Sequence, residues 1–246
     1  MALFSGFIVL VTLIAFGSVL CEDETIGPIF MKEPPNRVDF SNTTGAVVEC
    51  AARGSPTPDV IWVRADGTAV GDVPGLRQVL PNGNLNFPPF RAEDYRQEVH
   101  AQVYACLARN PVGTIHSRDV NVRAVISQAY DVKFWEEYVL RGNAAILKCQ
   151  IPSFVSEYVY VTSWIVSEDD KENEIRIDEP SNLEGKYLVL PSGELHIRDV
   201  GPEDGYKSYQ CRTKHRLTGE TRLSATKGRL VITDGINLSM VQLESS

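Results

Sequence analysis

The stretches Val103-Tyr104-Ala105-Cys106 and Ser208-Tyr209-Gln210-Cys211 decide the fold of this chain. In each stretch a Tyr lies two positions before a Cys. Upstream of each, an earlier Cys, a Trp, a Leu and an Asp follow one another in the same order. The matched positions are Cys50, Trp62, Leu85, Asp94, Tyr104 and Cys106 in the first copy, and Cys149, Trp164, Leu195, Asp204, Tyr209 and Cys211 in the second.

This order of residues is typical of an immunoglobulin-type β-sandwich. In that fold the Cys pair bridges two antiparallel sheets, the Trp packs on the bridge, and the Tyr hydroxyl fixes the corner before the second Cys. Two copies about 100 residues apart indicate an internal repeat of domain length. The sequence therefore predicts an all-β chain of two tandem immunoglobulin-like β-sandwiches, over residues 26–123 and 124–233. Trp62 and Trp164 are the predicted core tryptophans.

The cysteine count agrees with two bridged domains. Of the five cysteines, four remain if Cys21 is removed with the N-terminal segment. Four cysteines permit three pairings. The repeat selects Cys50 with Cys106 and Cys149 with Cys211, because each pair then lies inside one domain.

The N-terminal segment is typical of a secretory signal peptide. Leu3 to Leu20 is nearly all apolar, and the acidic run Glu22-Asp23-Glu24 follows it. Cleavage after Gly17 or after Cys21 fits the pattern, and cleavage after Cys21 is favoured because it leaves an even number of cysteines. We therefore predict a signal peptide over residues 1–21 and an extracellular location, with an uncleaved signal anchor as the alternative.

Several segments lie outside the predicted strands. Residues 234–246 do not continue toward a third domain and are predicted to be a disordered tail. The sequon Asn42-Thr43-Thr44 predicts a glycosylation site at Asn42, and a weaker one starts at Asn237.

The charged stretch from Glu168 to Glu174 is predicted to be a solvated turn. The junction at residues 120–126 has no Gly, Pro or Ser cluster, which predicts a semi-rigid connection of the two domains.

Composition and motif content argue against several function classes. The net charge of −8 and the pI near 5.1 provide no basic face for a nucleic-acid backbone. The four histidines lack the spacing of a metal site. The chain also has no nucleophile elbow, P-loop or dinucleotide-binding motif. We therefore expect no nucleic-acid partner, no metal, no cofactor and no enzymatic activity.

Longer runs narrow the resemblance to one family. Residues 87–106, which begin Phe87-Pro88-Pro89-Phe90, residues 66–78, and residues 206–215, which begin Tyr206-Lys207-Ser208-Tyr209, resemble the arthropod Down syndrome cell adhesion molecule (Dscam) family. The Leu, Asp, Tyr and Cys pattern also resembles the I-set of immunoglobulin domains. The resemblance covers about residues 28–233, the first two immunoglobulin domains of the family.

The resemblance implies a cell-surface receptor that binds copies of itself. It implies homophilic cell adhesion, neurite self-avoidance and axon guidance, with specificity set by an alternatively spliced first half of the second domain. The runner-up function is a soluble immune recognition protein that binds microbial surfaces. The implied partner is an identical copy of the chain, in an isologous contact, and the fragment is either anchored as part of the full receptor or secreted.

An aromatic-rich segment at the start of the second domain is the candidate recognition strand. Its position predicts a sheet edge, where backbone N–H and C=O groups lack partners. Because side chains alternate along a strand, they cannot all point into the core. The predicted homophilic segment comprises Ala129, Tyr130, Asp131, Val132, Lys133, Phe134 and Trp135.

The charges of this segment are symmetric about its centre. A two-fold contact between identical strands is antiparallel, so with Val132 on the axis, residues equidistant from it face each other. Asp131 then opposes Lys133 of the second copy, and Tyr130 opposes Phe134. Both are favourable cross-strand pairs, each contributing about 0.2–1 kcal/mol. The sequence predicts self-pairing of this strand by β-strand addition.

Overall fold

The computed structural model describes residues 25–169, 171–177 and 185–234. The predicted signal peptide lies outside the described residues, as does the predicted tail apart from Asp234. Strands are the main regular element of the described parts, and they are arranged in two successive sandwiches. The predicted all-β immunoglobulin fold is therefore confirmed.

The first sandwich consists of ten strands and two short helical turns. Its elements are β1 (Ile26–Lys32), β2 (Arg37–Ser41), β3 (Ala46–Val48), β4 (Ala51–Ser55), β5 (Asp59–Arg64), β6 (Gln78–Val79), β7 (Leu85–Phe87), a 3₁₀ turn (Ala92–Asp94), α1 (Gln97–His100), β8 (Ala101–Asn110), β9 (Gly113–His116) and β10 (Val120–Val125).

Two layers of strands enclose the core of the first domain. One layer holds the order β3-β7-β6 and the pair β1-β4, and the other holds β2-β10-β8-β5 with β9 on β8. The pairs are antiparallel except for β10 with β2, which is parallel. On β7 the side chains of Leu85 and Phe87 are fully buried while Asn86 between them is not, because successive side chains of a strand point to opposite faces.

The second sandwich repeats this plan, with nine strands among its described residues. Its elements are β11 (Glu137–Leu140), β12 (Ala145–Leu147), β13 (Val159–Glu168), β14 (Lys171–Arg176), β15 (Tyr187–Val189), β16 (Leu195–Ile197), α2 (Pro202–Gly205), β17 (Ser208–His215), β18 (Thr221–Leu223) and β19 (Leu230–Thr233).

The layers of the second domain are β12-β16-β15 and β14-β13-β17-β18, with β11 parallel to β19. The charged stretch predicted as a solvated turn is mostly strand, because β14 pairs with β13 in a hairpin. The reason is that Ile175 of β14 is buried in the core and the carboxylate of Glu174 accepts a hydrogen bond from Ser163 Oγ at 2.6 Å. A charged sequence therefore forms a strand whose alternate side chains are anchored.

The predicted disulfides form in both domains. Cys50 is joined to Cys106 with their Cα atoms 6.5 Å apart, and Cys149 to Cys211 with theirs 6.4 Å apart. Each bridge closes a loop of about 60 residues, which in the chain-entropy model contributes roughly 4 kcal/mol to stability.

The two predicted core tryptophans are completely buried, and both are held in the same way. Trp62 Nε1 donates to Gly83 O at 2.7 Å, and Trp164 Nε1 donates to Gly193 O at 2.9 Å. Both glycines have φ near +90° (+86° and +89°) and leave no space for a Cβ beside a valine of the neighbouring strand. The repeat therefore also includes the glycine turn whose carbonyl oxygen accepts the hydrogen bond of the indole.

Side chains of both domains meet at the junction. Arg37 Nη2 and Arg123 Nη2 contact Glu157 Oε1 at 2.6 and 2.7 Å, and Arg123 also bonds to Tyr158 Oη. Hydrogen bonds from Arg123 and Arg37 lower the pKa of Glu157. Since these groups belong to β2 and β10 on one side and to the loop before β13 on the other, the ion cluster ties the domains together.

Candidate recognition surface

The predicted recognition segment lies between β10 and β11 and is not a regular strand. One isolated antiparallel bridge joins Lys133 to Gln150. Its backbone hydrogen bonds run both ways, from Lys133 N to Gln150 O at 3.2 Å and from Gln150 N to Lys133 O at 2.8 Å. This bridge fixes the centre of the segment to the chain that follows β12.

Side chains nevertheless alternate along the segment as they do along a strand. Tyr130, Val132 and Phe134 are buried in the core of the second domain. The ring of Phe134 packs edge-on against Trp164, with centroids 5.3 Å apart. The residues that point outward are Ala129, Asp131, Lys133 and Trp135, and together they form the outward row.

The backbone edge of the segment is already occupied. Val132 O accepts from Ala225 N at 2.8 Å, and Phe134 N donates to Thr226 Oγ1 at 3.0 Å. Since Lys133 is bonded to Gln150, the central backbone groups have partners within the same chain. The predicted β-strand addition by main-chain hydrogen bonds is wrong for this part of the segment.

The predicted contact of Tyr130 with Phe134 across two copies is also wrong. Both side chains pack into their own core, so neither is free to reach a second molecule. The charged pair is in a different position, because Asp131 and Lys133 are both exposed and lie on the outer face. Any contact between copies at this segment would have to form through its outward side chains.

Trp135 is the largest side chain of the outward row, and 52% of its surface is exposed. Its indole Nε1 donates to Gln150 Oε1 at 3.1 Å. The ammonium of Lys133 lies 5.7 Å from the ring centroid, within the range of a cation–π interaction. These contacts hold the indole in place on the surface, where about half of the side chain still meets solvent.

A groove of about 590 Å³ lies beside the outward row. One wall is the segment itself, from Ala129 to Lys133. The other is the chain after β12, which includes the half-exposed ring of Phe154. The lining residues are Ala129, Tyr130, Asp131, Lys133, Gln150, Ile151, Pro152, Phe154 and Arg222.

Two groups on this groove are held in defined positions. Arg222 Nη1 donates to Tyr130 O at 2.9 Å, and its guanidinium lies 4.7 Å from the centroid of the Tyr130 ring. The Tyr130 hydroxyl is buried without a hydrogen-bond partner among the described residues, and burial raises its pKa. The sequence did not identify Arg222 or Phe154, since nothing local connects them to the segment; only an exposed phenylalanine within Pro152-Ser153-Phe154 was a signal.

The position of Asn42 argues against the predicted glycan. Only 7% of this residue is exposed. Its Nδ2 donates to Phe90 O at 3.0 Å, and its Oδ1 accepts from Ser127 N at 2.8 Å. A glycan on Nδ2 would have to displace packed neighbours, so the prediction of a glycosylated Asn42 does not fit the folded chain. The side chain instead links the first domain to the connection between domains.

The described ranges contain neither a metal-binding cluster nor a membrane-spanning helix. No group of three or more His, Cys, Asp or Glu side chains there has the arrangement to hold a metal ion. Within residues 25–169, 171–177 and 185–234, no helix has the length and apolar character that crossing a membrane requires.

Comparisons with known proteins identify the family. No protein-family model matches the chain. The chain is 68% identical over 213 residues to the cell adhesion molecule Dscam1 of Drosophila melanogaster, an alignment that covers 87% of this chain and 10% of that protein. These two domains are of the Dscam family. The resemblance inferred from residues 66–78, 87–106 and 206–215 is thereby confirmed.

Solved Dscam structures agree with the fold. The crystal structure of the N-terminal four Ig domains of Dscam1 isoform 7.44 matches with a TM-score of 0.79 at 68% identity, covering 87% of this chain and 53% of that chain. A structure that addresses the structural basis of Dscam isoform specificity matches with a TM-score of 0.72 at 68% identity, covering 86% of this chain and 53% of that chain. The chain spans about a tenth of the length of the curated Dscam relatives it matches.

Proposed function

We propose that this chain is the recognition end of a Dscam-type cell-adhesion receptor and that it binds a second copy of itself, without catalysis. The relatives are named cell adhesion molecules, and one related structure concerns isoform specificity. The observation that carries the proposal is the outward row, in which the opposite charges of Asp131 and Lys133 lie symmetrically about Val132.

The contact is proposed to be antiparallel and isologous, with the axis at Val132. The outward faces of the two segments then meet side chain to side chain, since the central backbone groups of each segment are already bonded within the chain. Asp131 of each copy faces Lys133 of the other, so the same ion pair forms twice. The register is the one that places every outward residue opposite another outward residue.

The strength of such a contact is modest. Each exposed ion pair contributes from near zero to about 1 kcal/mol, since it lies partly in water. Like charges in the same place repel by a similar amount. Recognition by this row is therefore weak for one pair of molecules and grows when many copies meet on two surfaces. Such a contact suits selection between cell surfaces, the basis of the self-avoidance proposed for this family.

Charge reversal on beads tests the proposal. Beads coated with the full chain are expected to cluster, and Asp131→Lys and Lys133→Asp are each expected to reduce clustering, since each places like charges across the axis. Beads carrying the double reversal are expected to cluster again. Beads of one single variant are expected to bind beads of the other, because both cross-axis pairs are then opposite in charge.

A charge reversal outside the row is the control. Lys214→Glu changes an exposed residue of β17 by the same amount, and it is expected to leave clustering intact. If both single reversals in the row cluster like wild type, the proposed surface is wrong. If wild-type beads fail to cluster with one another but bind bacteria, self-binding is rejected. The chain is then an immune recognition protein that binds microbial surfaces.

A further inference from the structure

The outward row and the groove beside it are arranged so that one complements the other across a two-fold axis. With the axis at Val132, the residue that faces Trp135 is Ala129, because both lie three positions from the centre. Ala129 is exposed and lines the groove. The largest outward side chain therefore faces the smallest one, at the place where the surface is hollow.

We propose that the groove is the seat for Trp135 of a second copy of this chain. This inference rests on the proposed self-binding and specifies how the two copies lock together. Each indole enters the groove of the other molecule over Ala129, so the contact forms twice. The ion pairs between Asp131 and Lys133 lie between the two indoles and set the register.

The lining of the groove suits an indole. Ile151, Pro152 and Phe154 offer apolar surface, and 55% of Phe154 is exposed in the single chain. The cationic side chains of Arg222 and Lys133 also line the groove, and a cation over an indole face is favourable. The volume of about 590 Å³ is more than one indole requires.

The composition of the site matches that of a binding hot spot. Residues whose truncation weakens an interface most are enriched in Trp, Tyr and Arg, and they fill pockets on the partner. Exposure of the apolar surface of a Trp to water is unfavourable, and burial of the indole in the groove removes that cost. Because the groove and Trp135 belong to one surface, a single two-fold contact buries both copies of Trp135, each in the groove of the other molecule.

A size exchange between the facing positions tests this geometry. Trp135→Ala removes the side chain that fills the groove, and Ala129→Phe fills the groove from within. Beads carrying either variant alone are expected to cluster at least about tenfold less than wild type. Beads of the two variants mixed together are expected to cluster with each other. In the mixed pair the introduced phenylalanine of one molecule faces the introduced alanine of the other, and the wild-type contact remains on the other side of the axis.

Two controls separate the groove from the rest of the surface. Tyr206→Ala removes an aromatic side chain that is 81% exposed beside α2, and it is expected to leave clustering unchanged. Both test positions are exposed, so unchanged thermal unfolding of each variant confirms its fold. Phe154→Ala alters the far wall of the groove and is expected to weaken clustering without affecting the ion pairs.

The outcomes distinguish this inference from the proposed function. If the charge reversals behave as expected but Trp135→Ala clusters like wild type, or the mixed size variants bind no better than each alone, the groove is not the seat of Trp135 although self-binding stands. If neither the charge variants nor the size variants differ from wild type, the surface is wrong and both proposals are rejected together.

Discussion

The two domains place the same short helix before the same tyrosine, but they support it by different chemistry. α1 and α2 each begin seven positions before that tyrosine. Tyr104 Oη donates to Val99 O at 2.9 Å, and Tyr209 Oη donates to Asp204 O at 3.2 Å. The structural counterpart of Asp204 is therefore Val99. Asp94, which the order of residues along the chain matches to Asp204, lies further upstream in a 3₁₀ turn.

In the second domain a buried carboxylate organises the corner. Asp204 is completely buried. Its Oδ2 accepts from Gly201 N at 2.9 Å and pairs with Lys186 Nζ at 2.6 Å, and its Oδ1 lies 3.4 Å from Lys207 Nζ. Lys207 Nζ also donates to Tyr187 Oη at 3.1 Å. One anion thus joins the helix, strand β15 and the start of β17.

In the first domain an apolar side chain and a buried cation replace this arrangement. Val99 is buried where Asp204 would lie. Arg77 is 3% exposed, and it donates to Tyr104 Oη at 2.9 Å and to Gly71 O at 2.8 Å. Arg77 lies two positions before Val79, as Tyr187 lies two before Val189, and these valines face equivalent leucines. At this position the first domain has a cation, Arg77, which donates to the hydroxyl of Tyr104. The second domain has a hydroxyl there, Tyr187, which accepts from the cation of Lys207.

The tyrosine hydrogen bond therefore fixes the backbone of the corner in both domains, while the side chains that support it differ. A carboxylate with two ammonium partners and a guanidinium with two oxygen acceptors both satisfy the buried polar groups. What neither domain tolerates is a buried charge without its partners.

Removal of the buried carboxylate is expected to have the largest effect. Asp204→Ala leaves Gly201 N without its acceptor and takes the buried carboxylate away from Lys186 and Lys207, whose remaining hydrogen-bond partners are Glu203 and Tyr187. Breaking a buried pair in this way costs about 3 kcal/mol. The value lies at the low end of the usual range because both lysines retain contact with water. Scanning calorimetry is expected to show a lower unfolding temperature for the second domain alone.

Asp94→Ala is the matched control for that prediction. The side chain of Asp94 is 41% exposed and bonds to Arg91 Nε at 2.9 Å on the surface. Its removal is expected to leave the unfolding temperature of the first domain almost unchanged. If Asp94→Ala destabilises its domain as much as Asp204→Ala does, the assignment of Val99 as the true counterpart is wrong.

Replacement of the buried guanidinium is expected to have an intermediate effect. Arg77→Lys keeps the charge but not the planar fork, so the ammonium cannot serve both Gly71 O and Tyr104 Oη. One buried acceptor loses its donor, at a cost of about 1–3 kcal/mol. Urea unfolding of the variant measures the loss. Tyr187→Phe, the equivalent position of the second domain, is expected to cost less, and an equal or larger cost there would contradict the exchange of roles.

Sequence reasoning reached the features that are local and missed those that join distant residues. The spacing of Cys, Trp and Tyr predicted the sandwiches and both bridges, since each domain records it independently. Alternation predicted that the recognition segment has an outward face. The occupied backbone edge was not predictable, because Ala225 and Thr226 lie far along the chain from their partners in the segment, 92 residues in the case of Thr226 and Phe134.

Two further errors have specific physical reasons. Matching Asp94 to Asp204 is wrong because order along the chain hides the extra residues before Tyr104; counting back from each tyrosine to the acceptor of its hydroxyl gives Val99. The groove residue Arg222 becomes part of the recognition surface only when β18 folds beside the segment. The order of residues in the chain does not contain that contact.

A smaller effect is expected from pH, and only the corner of the first domain has the side chain for it. His100 occupies the position of Gly205 in α2. It is completely buried, and it stacks on Phe90 with centroids 3.9 Å apart. Its Nδ1 accepts from Arg96 N at 3.0 Å, and Nε2 has no partner among the described residues. Burial lowers the pKa of His100, opposed by Glu98 and reinforced by Arg77 and Arg96.

The sign of the pH effect follows from that direction. Because the pKa of His100 is lower in the folded chain than the ordinary value near 6.5, the unfolded chain binds more protons below that pH. The stability of the first domain is therefore expected to fall as the pH falls from about 6.5. His100→Gln is expected to remove this part of the pH dependence in urea titrations at several pH values. Identical pH profiles for variant and wild type would contradict it.

The smallest effect is expected at Asn42, where the corner of the first domain meets the connection to the second. Phe90 stacks on His100 and its carbonyl accepts from Asn42, so the side chain that the sequon offers for glycosylation is part of the corner. Thr44→Ala destroys the sequon and leaves Asn42 in place. The intact mass of the secreted protein is expected to change only by the substitution itself. If the variant instead loses the mass of a glycan, Asn42 carries that glycan, and its link between Phe90 and Ser127 does not exist in the secreted protein.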